Sequence, residues 1–153
     1  MSLQTTTHLN FRGTAHRALT FYASVFGGEA TLVPYSAFGM PKDAPGADHV
    51  VFGQVESPNG FRIMAYDVPG SPPNGATTNA GSTRRENGTT ITDRTFFQSL
   101  SCDSLEEMKD YWNALAEGGT IVEPLAASPW SAGFGMLTDR FGVTWVFDVK
   151  AKT

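Results

Sequence analysis

The stretch F-Y-A-S-V-F-G-G-E-A-T-L-V, residues 21–33, and the stretch Y-W-N-A-L-A-E-G-G-T-I-V, residues 111–122, carry an aromatic pair and a glycine pair in the same order. Each reads as the end of an amphipathic helix, stopped by Gly-Gly and followed at once by a strand. Downstream of each copy lies a similar strand, F-R-I-M-A-Y-D-V at 61–68 and F-G-V-T-W-V-F-D-V at 141–149, both closing on aromatic-Asp-Val. An internal repeat of this kind is one supersecondary unit used twice, and it directs attention to whatever lies between the copies.

Working outward, residues 6–11 alternate as a strand, with Leu9 and Phe11 on one face and His8 and Asn10 on the face away from the first helix. Gly13-Thr14 offers a helix N-cap, and Ala15, Ala18, Leu19, Tyr22, Val25 and Phe26 recur at helical spacing. A strand at 30–34, a Gly/Pro-rich loop reaching His49, and strands at 50–56 and 61–68 joined by S-P-N-G complete the first module, residues 4–68. From 69 to 94 the composition turns to Gly, Pro, Ser, Thr and Asn with few large apolar side chains, which predicts a flexible linker. Residues 95–150 repeat the order. A strand ends at Cys102, the capping box S-L-E-E at 104–107 opens a helix, and three strands follow.

A chain of 153 residues suits one domain or two small modules, able to bury roughly two-thirds of its unfolded surface. A net charge of −4 with no basic run argues against nucleic acid as a partner. The apolar stretches are of strand length, so no membrane span is predicted, and the first residues do not read as a signal peptide; a cytoplasmic protein is expected. A single cysteine, Cys102, excludes an intramolecular disulfide and reads as a buried, inert thiol. No G-x-S-x-G elbow appears, and no Gly-rich loop follows a strand and opens a helix as a phosphate site requires.

The doubled βαβββ order, F-Y-x-x-V-F-G-G in the first helix and S-P-W-S-A-G-F-G-M-L-T-D-R-F-G-V-T-W at 128–145 together resemble the vicinal oxygen chelate superfamily of glyoxalases, bleomycin-resistance proteins and extradiol dioxygenases. Within it the C-terminal run is similar to the PhnB-like branch, whose members are often labelled 3-demethylubiquinone 3-methyltransferase-like. The resemblance implies an α+β fold, the glyoxalase/bleomycin resistance fold, with two βαβββ modules forming curved mixed sheets around a cavity. It also implies a homodimer and, in metal-dependent members, four His, Glu or Gln ligands on the first and last strands of the modules. One fold hosts many chemistries, so activity has to be argued from the site.

Carried over residue by residue, the four ligand positions fall near Thr6, Ala65, Phe97 and Val146, so the standard divalent metal site is expected to be absent and no cofactor is assigned. A shifted metal site built from His8, Asp67 and Asp148 stays open, the two Asp being partners in the repeat. Asp at a strand end is equally a turn or cap residue. His8 has a plain reading as a partly exposed strand imidazole, His16 as a solvated helix residue, and His49 as a loop residue at a cavity mouth. Trp130 follows Ser-Pro in a loop, where alternation does not bury it. Phe21, Tyr22, Trp112, Trp145 and Phe147 read as core.

No catalytic residue is assigned. The favoured function is binding or sequestration of a small organic molecule, with His8, Asn10, Phe52, Gln54, Asp67, Trp130 and Asp148 lining the site. Two alternatives remain: a metal-dependent lyase, isomerase or dioxygenase around His8, and a structural or interaction module whose cavity is filled by side chains.

Overall fold

The structure is a computed structural model that describes residues 3–70, 83–129 and 131–150. The chain divides into two compact units at 77/78. In the first, β1 (His8–Phe11) leads to α1 (Ala15–Phe26), then to β2 (Glu29–Pro34), β3 (Val50–Glu56) and β4 (Arg62–Asp67), with the sheet order β1-β4-β3-β2. β1 runs parallel to β4, and the other pairs are antiparallel. The helix is amphipathic as its spacing predicts. Leu19, Tyr22 and Phe26 on the helix and Leu9, Phe11, Ile63 and Ala65 on the sheet are all buried, each large side chain contributing about 1.5–3 kcal/mol. It ends at Gly27, whose φ of 80° suits the glycine expected there.

The N-terminus of α1 departs from the sequence reading. Thr14 makes no side-chain cap. The carboxylate of Asp67, at the far end of β4, caps it instead: Oδ1 accepts the amides of Gly13 at 2.7 Å and Ala15 at 3.1 Å, while Oδ2 accepts that of Val50 at 2.9 Å. A negative group at this end also complements the helix dipole.

The second unit contains β7 (Gln98–Cys102), α2 (Leu105–Ala116), β8 (Thr120–Ser128), β9 (Ser131–Thr138) and β10 (Thr144–Val149), in the order β7-β10-β9-β8. The strand order and the parallel pairing of first and last strands are those of the first unit. Ser104 caps α2 through Glu107 N at 3.2 Å, as the capping box predicts. The T-D-R-F-G-V-T-W run is the β9–β10 turn. Asp139 Oδ1 accepts the amides of Phe141 (2.8 Å) and Val143 (3.1 Å), and Oδ2 accepts the indole N–H of Trp145 (2.9 Å). Arg140 donates from Nε and Nη2 to the Glu117 carbonyl at the end of α2.

The predicted linker is partly structured. Residues 71–82 lie outside the described residues, but β5 (Arg84–Glu86) and β6 (Thr89–Ile91) pair as a hairpin over Asn87-Gly88, both at positive φ. That dipeptide is the usual two-residue hairpin turn. Low apolar content misleads here, because the hairpin is stabilised by lying on the second sheet. Among the described residues, no helix is long and apolar enough to cross a membrane.

Candidate functional site

In the first unit, α1 covers one face of the sheet and leaves the other open. Leu9, Phe11, Ile63, Ala65 and Val55 face the helix. Strand pairing then places His8, Met64, Gln54 and Thr31 in one row across all four strands of the open face, with Asn10 opposite Tyr66 and Val33 opposite Phe52 in the neighbouring positions. His8, Asn10, Phe52 and Gln54 thus lie on one surface, as alternation predicts.

The imidazole of His8 meets the Tyr66 ring edge-on, centroids 5.3 Å apart, and its Nδ1 lies 3.2 Å from Asn10 Oδ1. Gln54 Nε2 donates to Glu56 Oε2 at 3.3 Å, and Glu56 also pairs with Arg62 Nε at 3.5 Å. Phe52 is 39% exposed. Such a surface offers hydrogen-bond donors and acceptors between flat apolar faces, which suits an aromatic or planar organic molecule.

Asp67 does not belong to it. Asp67, expected among the site residues, and Ala65, at an expected ligand position, are instead on the helix side, 1% and 0% exposed, and Tyr66 and Met64 are on the open side. Asp67 is opposite Phe11, whereas Asp148 is opposite Ser101 and is exposed on the face away from α2. The two aspartates are out of register by one residue, and strand period 2 turns an odd offset into opposite faces. His8 and Asp67 therefore cannot share an ion. Among the described residues no three His, Cys, Asp or Glu side chains are grouped to hold a metal, so the described donors do not fit the superfamily's ion.

In the second unit, Ser99, Val146 and Asp148 take the open-face positions beside Phe134 and Met136. Trp130 lies outside the described residues. His16 borders a cleft of about 350 Å³ between α1 and β2, lined also by Leu32, Pro34, Ser36, Asp48 and Val50, on the helix side and away from the His8 row. Cys102 is buried, and burial first, then the charges of Glu107 and Asp103, push its thiol above its usual value of 9. Tyr66 and Met64 escaped the sequence reading because the similar Y-D-V and F-D-V endings were matched by letter. Pairing from Leu9 opposite Ala65 gives the face directly.

The sequence profile of the Glyoxalase/Bleomycin resistance protein/Dioxygenase superfamily matches residues 7–147. Protein YjdN of Escherichia coli K12 is 28% identical over 151 residues, spanning 93% of this chain and 92% of that protein. Among solved structures, PA1353 of Pseudomonas aeruginosa matches with a TM-score of 0.72 at 30% identity, covering 99% of this chain and 100% of that one. A PhnB protein from Bacillus cereus matches with a TM-score of 0.67 at 25% identity, covering 97% of this chain and 100% of that one.

Proposed function

Because the chain belongs to the glyoxalase/bleomycin resistance protein/dioxygenase superfamily, with PhnB-like structural neighbours, we propose that it binds a small organic molecule on the open face of its first sheet. The row His8, Met64, Gln54 and Thr31, flanked by Tyr66 and Phe52, carries this reading. The imidazole and the Gln54 amide supply polar contacts that orient the ligand, and the two rings supply stacking surface. Asn10 holds the His8 ring from the side. Asp67 is assigned to folding and not to the ligand. In this reading the ligand binds without the superfamily's metal, which is supported by His8 having Asn10 and Tyr66 beside it and no group of three His, Cys, Asp or Glu among the described residues. A homodimer is part of the proposal, supported by family membership and by the exposure of Phe38 and Phe52.

The test is a thermal-shift titration with hydroxylated aromatic amides. Stabilisation by a member of that series, lost in His8→Ala and Gln54→Ala, supports binding on this face. Equal stabilisation of both variants and the parent chain would place the ligand elsewhere. Stoichiometric Mn, Fe, Ni, Co or Zn in the purified protein, lost on His8→Ala, would instead establish the metal-dependent reading.

A further inference from the structure

Met136 and Phe134 occupy the face of the second sheet that points away from α2, because their partners across the ladder are Val146 and Asp148. Met136 is nevertheless only 2% exposed. The hairpin β5–β6 covers it. Thr90 Oγ1 donates to Met136 Sδ at 3.5 Å, and the Arg85 guanidinium lies 5.2 Å from the centroid of the Phe134 ring. A cation over an aromatic face adds attraction to the packing.

The cover is weakly held for its position. Its strands are three residues each, and a two-stranded hairpin is marginal by itself. Thr83 and Thr92 close its base with a hydroxyl pair at 2.9 Å, and Arg84 and Glu86 pair with each other at 2.7 Å. Among the described residues, Arg85, Thr90 and the ion pair of Arg85 with Glu123 of β8 tie it side chain to side chain to the sheet.

That ion pair is incomplete. Arg85 Nη1 donates to Thr90 Oγ1 at 2.9 Å, but Nε is buried and has no hydrogen-bond partner among the described residues, and Glu123 Oε2 stands 3.8 Å from it, beyond hydrogen-bond reach. The Nε edge of a guanidinium is the edge that takes a carboxylate or sulfonate through two parallel bonds. An acid presented there gains a buried donor that Glu123 does not satisfy, and an apolar body behind it meets Phe134 and Met136.

We propose that the hairpin β5–β6 is a displaceable cover over a binding site for amphipathic anions, which enter between hairpin and sheet, take Arg85 from Glu123 and pack their apolar part on Phe134 and Met136. The site extends to the second unit the reading that the open sheet faces hold ligands, and it adds a charge requirement that the His8 face lacks.

The full chain is titrated with 1-anilinonaphthalene-8-sulfonate and with its uncharged counterpart N-phenyl-1-naphthylamine, following fluorescence and the methionine methyl resonances. The sulfonate moves the Met136 methyl and binds more tightly than the neutral compound. Glu123→Gln strengthens sulfonate binding about threefold, as loss of a partly exposed competing partner predicts. Arg85→Gln weakens it about tenfold relative to the neutral compound. If Arg85→Gln melts early, Arg85→Lys carries the test, with about threefold weaker sulfonate binding because an ammonium lacks the fork. Equal affinity for the two compounds, unchanged or tighter sulfonate binding in the Arg85 variants, or an unmoved Met136 methyl at saturation overturns the proposal. A shift confined to Met64, on the His8 face, overturns it while leaving the first-unit site standing.

Discussion

The indole N–H of Trp145 donates to Asp139 Oδ2 at 2.9 Å, with Trp145 0% and Asp139 2% exposed. The same carboxylate holds the amides of Phe141 and Val143, so one side chain fixes both the β9–β10 turn and the first inward residue of β10. Trp145→Phe keeps most of the packing and removes the indole donor from a buried carboxylate. We expect a loss of about 2 kcal/mol in urea unfolding, and a larger loss for Asp139→Ala, which releases two amides as well. If Trp145→Phe unfolds at the parent's midpoint, the bond contributes nothing net.

Asp67 performs the corresponding task in the first unit by a different route, tying Gly13, Ala15 and Val50 to the end of β4. Asp67→Ala strands three amides and should cost about 3 kcal/mol or more, whereas Thr14→Ala, at the residue that reads as the cap in the sequence, should change the midpoint little. A large effect at Thr14 with a small one at Asp67 would restore the local cap.

How much was legible follows from which signals are local. Alternation through His8, Leu9, Asn10 and Phe11 gives the face of β1, and the 3.6-residue stripe of Leu19, Tyr22 and Phe26 gives the face of α1; both hold. The role of Asp67 is not local, since its partners lie 17 to 54 residues away, and letter similarity with Asp148 points to the wrong face. Asn87-Gly88 did carry a hairpin signal, but its flanks Arg84–Glu86 and Thr89–Ile91 lack apolar alternation and are stabilised by a sheet built from later residues. The C-terminal run that identifies the superfamily proves to be a folding motif, centred on Asp139, Arg140 and Trp145.

Gly53 and Gly135 both lie on the helix side of a third-position strand, where a helix comes close. A Cβ on Gly135 would stand 2.9 Å from Leu125 Cα and from the Trp112 ring, and one on Gly53 would meet the Leu19 side chain and stand 2.9 Å from the Ala65 carbonyl. Neither has positive φ, so the penalty is steric. Gly53→Ala and Gly135→Ala should each lose about 1–3 kcal/mol, Gly135→Ala the more because a large ring, and not the end of a flexible leucine, must give way. Equal melting temperatures for parent and variants would show that helix and sheet separate without cost.

Cys102 supplies a pH dependence. Its thiol is held protonated by burial, above the usual 9, so the unfolded chain ionises first as pH rises. The contribution to stability is therefore complete below about pH 9 and is lost above it as pH climbs through the folded value. Urea midpoints measured from pH 7 to 10 should fall more steeply for the parent chain than for Cys102→Ala. Iodoacetamide should label Cys102 slowly at neutral pH, since the thiolate is scarce and shielded. Rapid labelling of folded protein would contradict the burial.

His8→Ala separates binding from folding in the first unit. The side chain is exposed, makes one ring contact to Tyr66 and one polar contact to Asn10, and carries no core packing. Its removal should shift the unfolding midpoint by less than about 0.5 kcal/mol, the range of ordinary surface substitutions. Ligand affinity should fall about tenfold, because a lost hydrogen bond in a partly desolvated contact is of the order of 1 kcal/mol and the edge contact with Tyr66 goes with it. Tyr66→Phe, which keeps the ring, should retain most of that affinity and Tyr66→Ala should not. If all three variants bind as the parent does, the open face of the first sheet is not the ligand site, and the row from His8 to Thr31 has only a structural meaning.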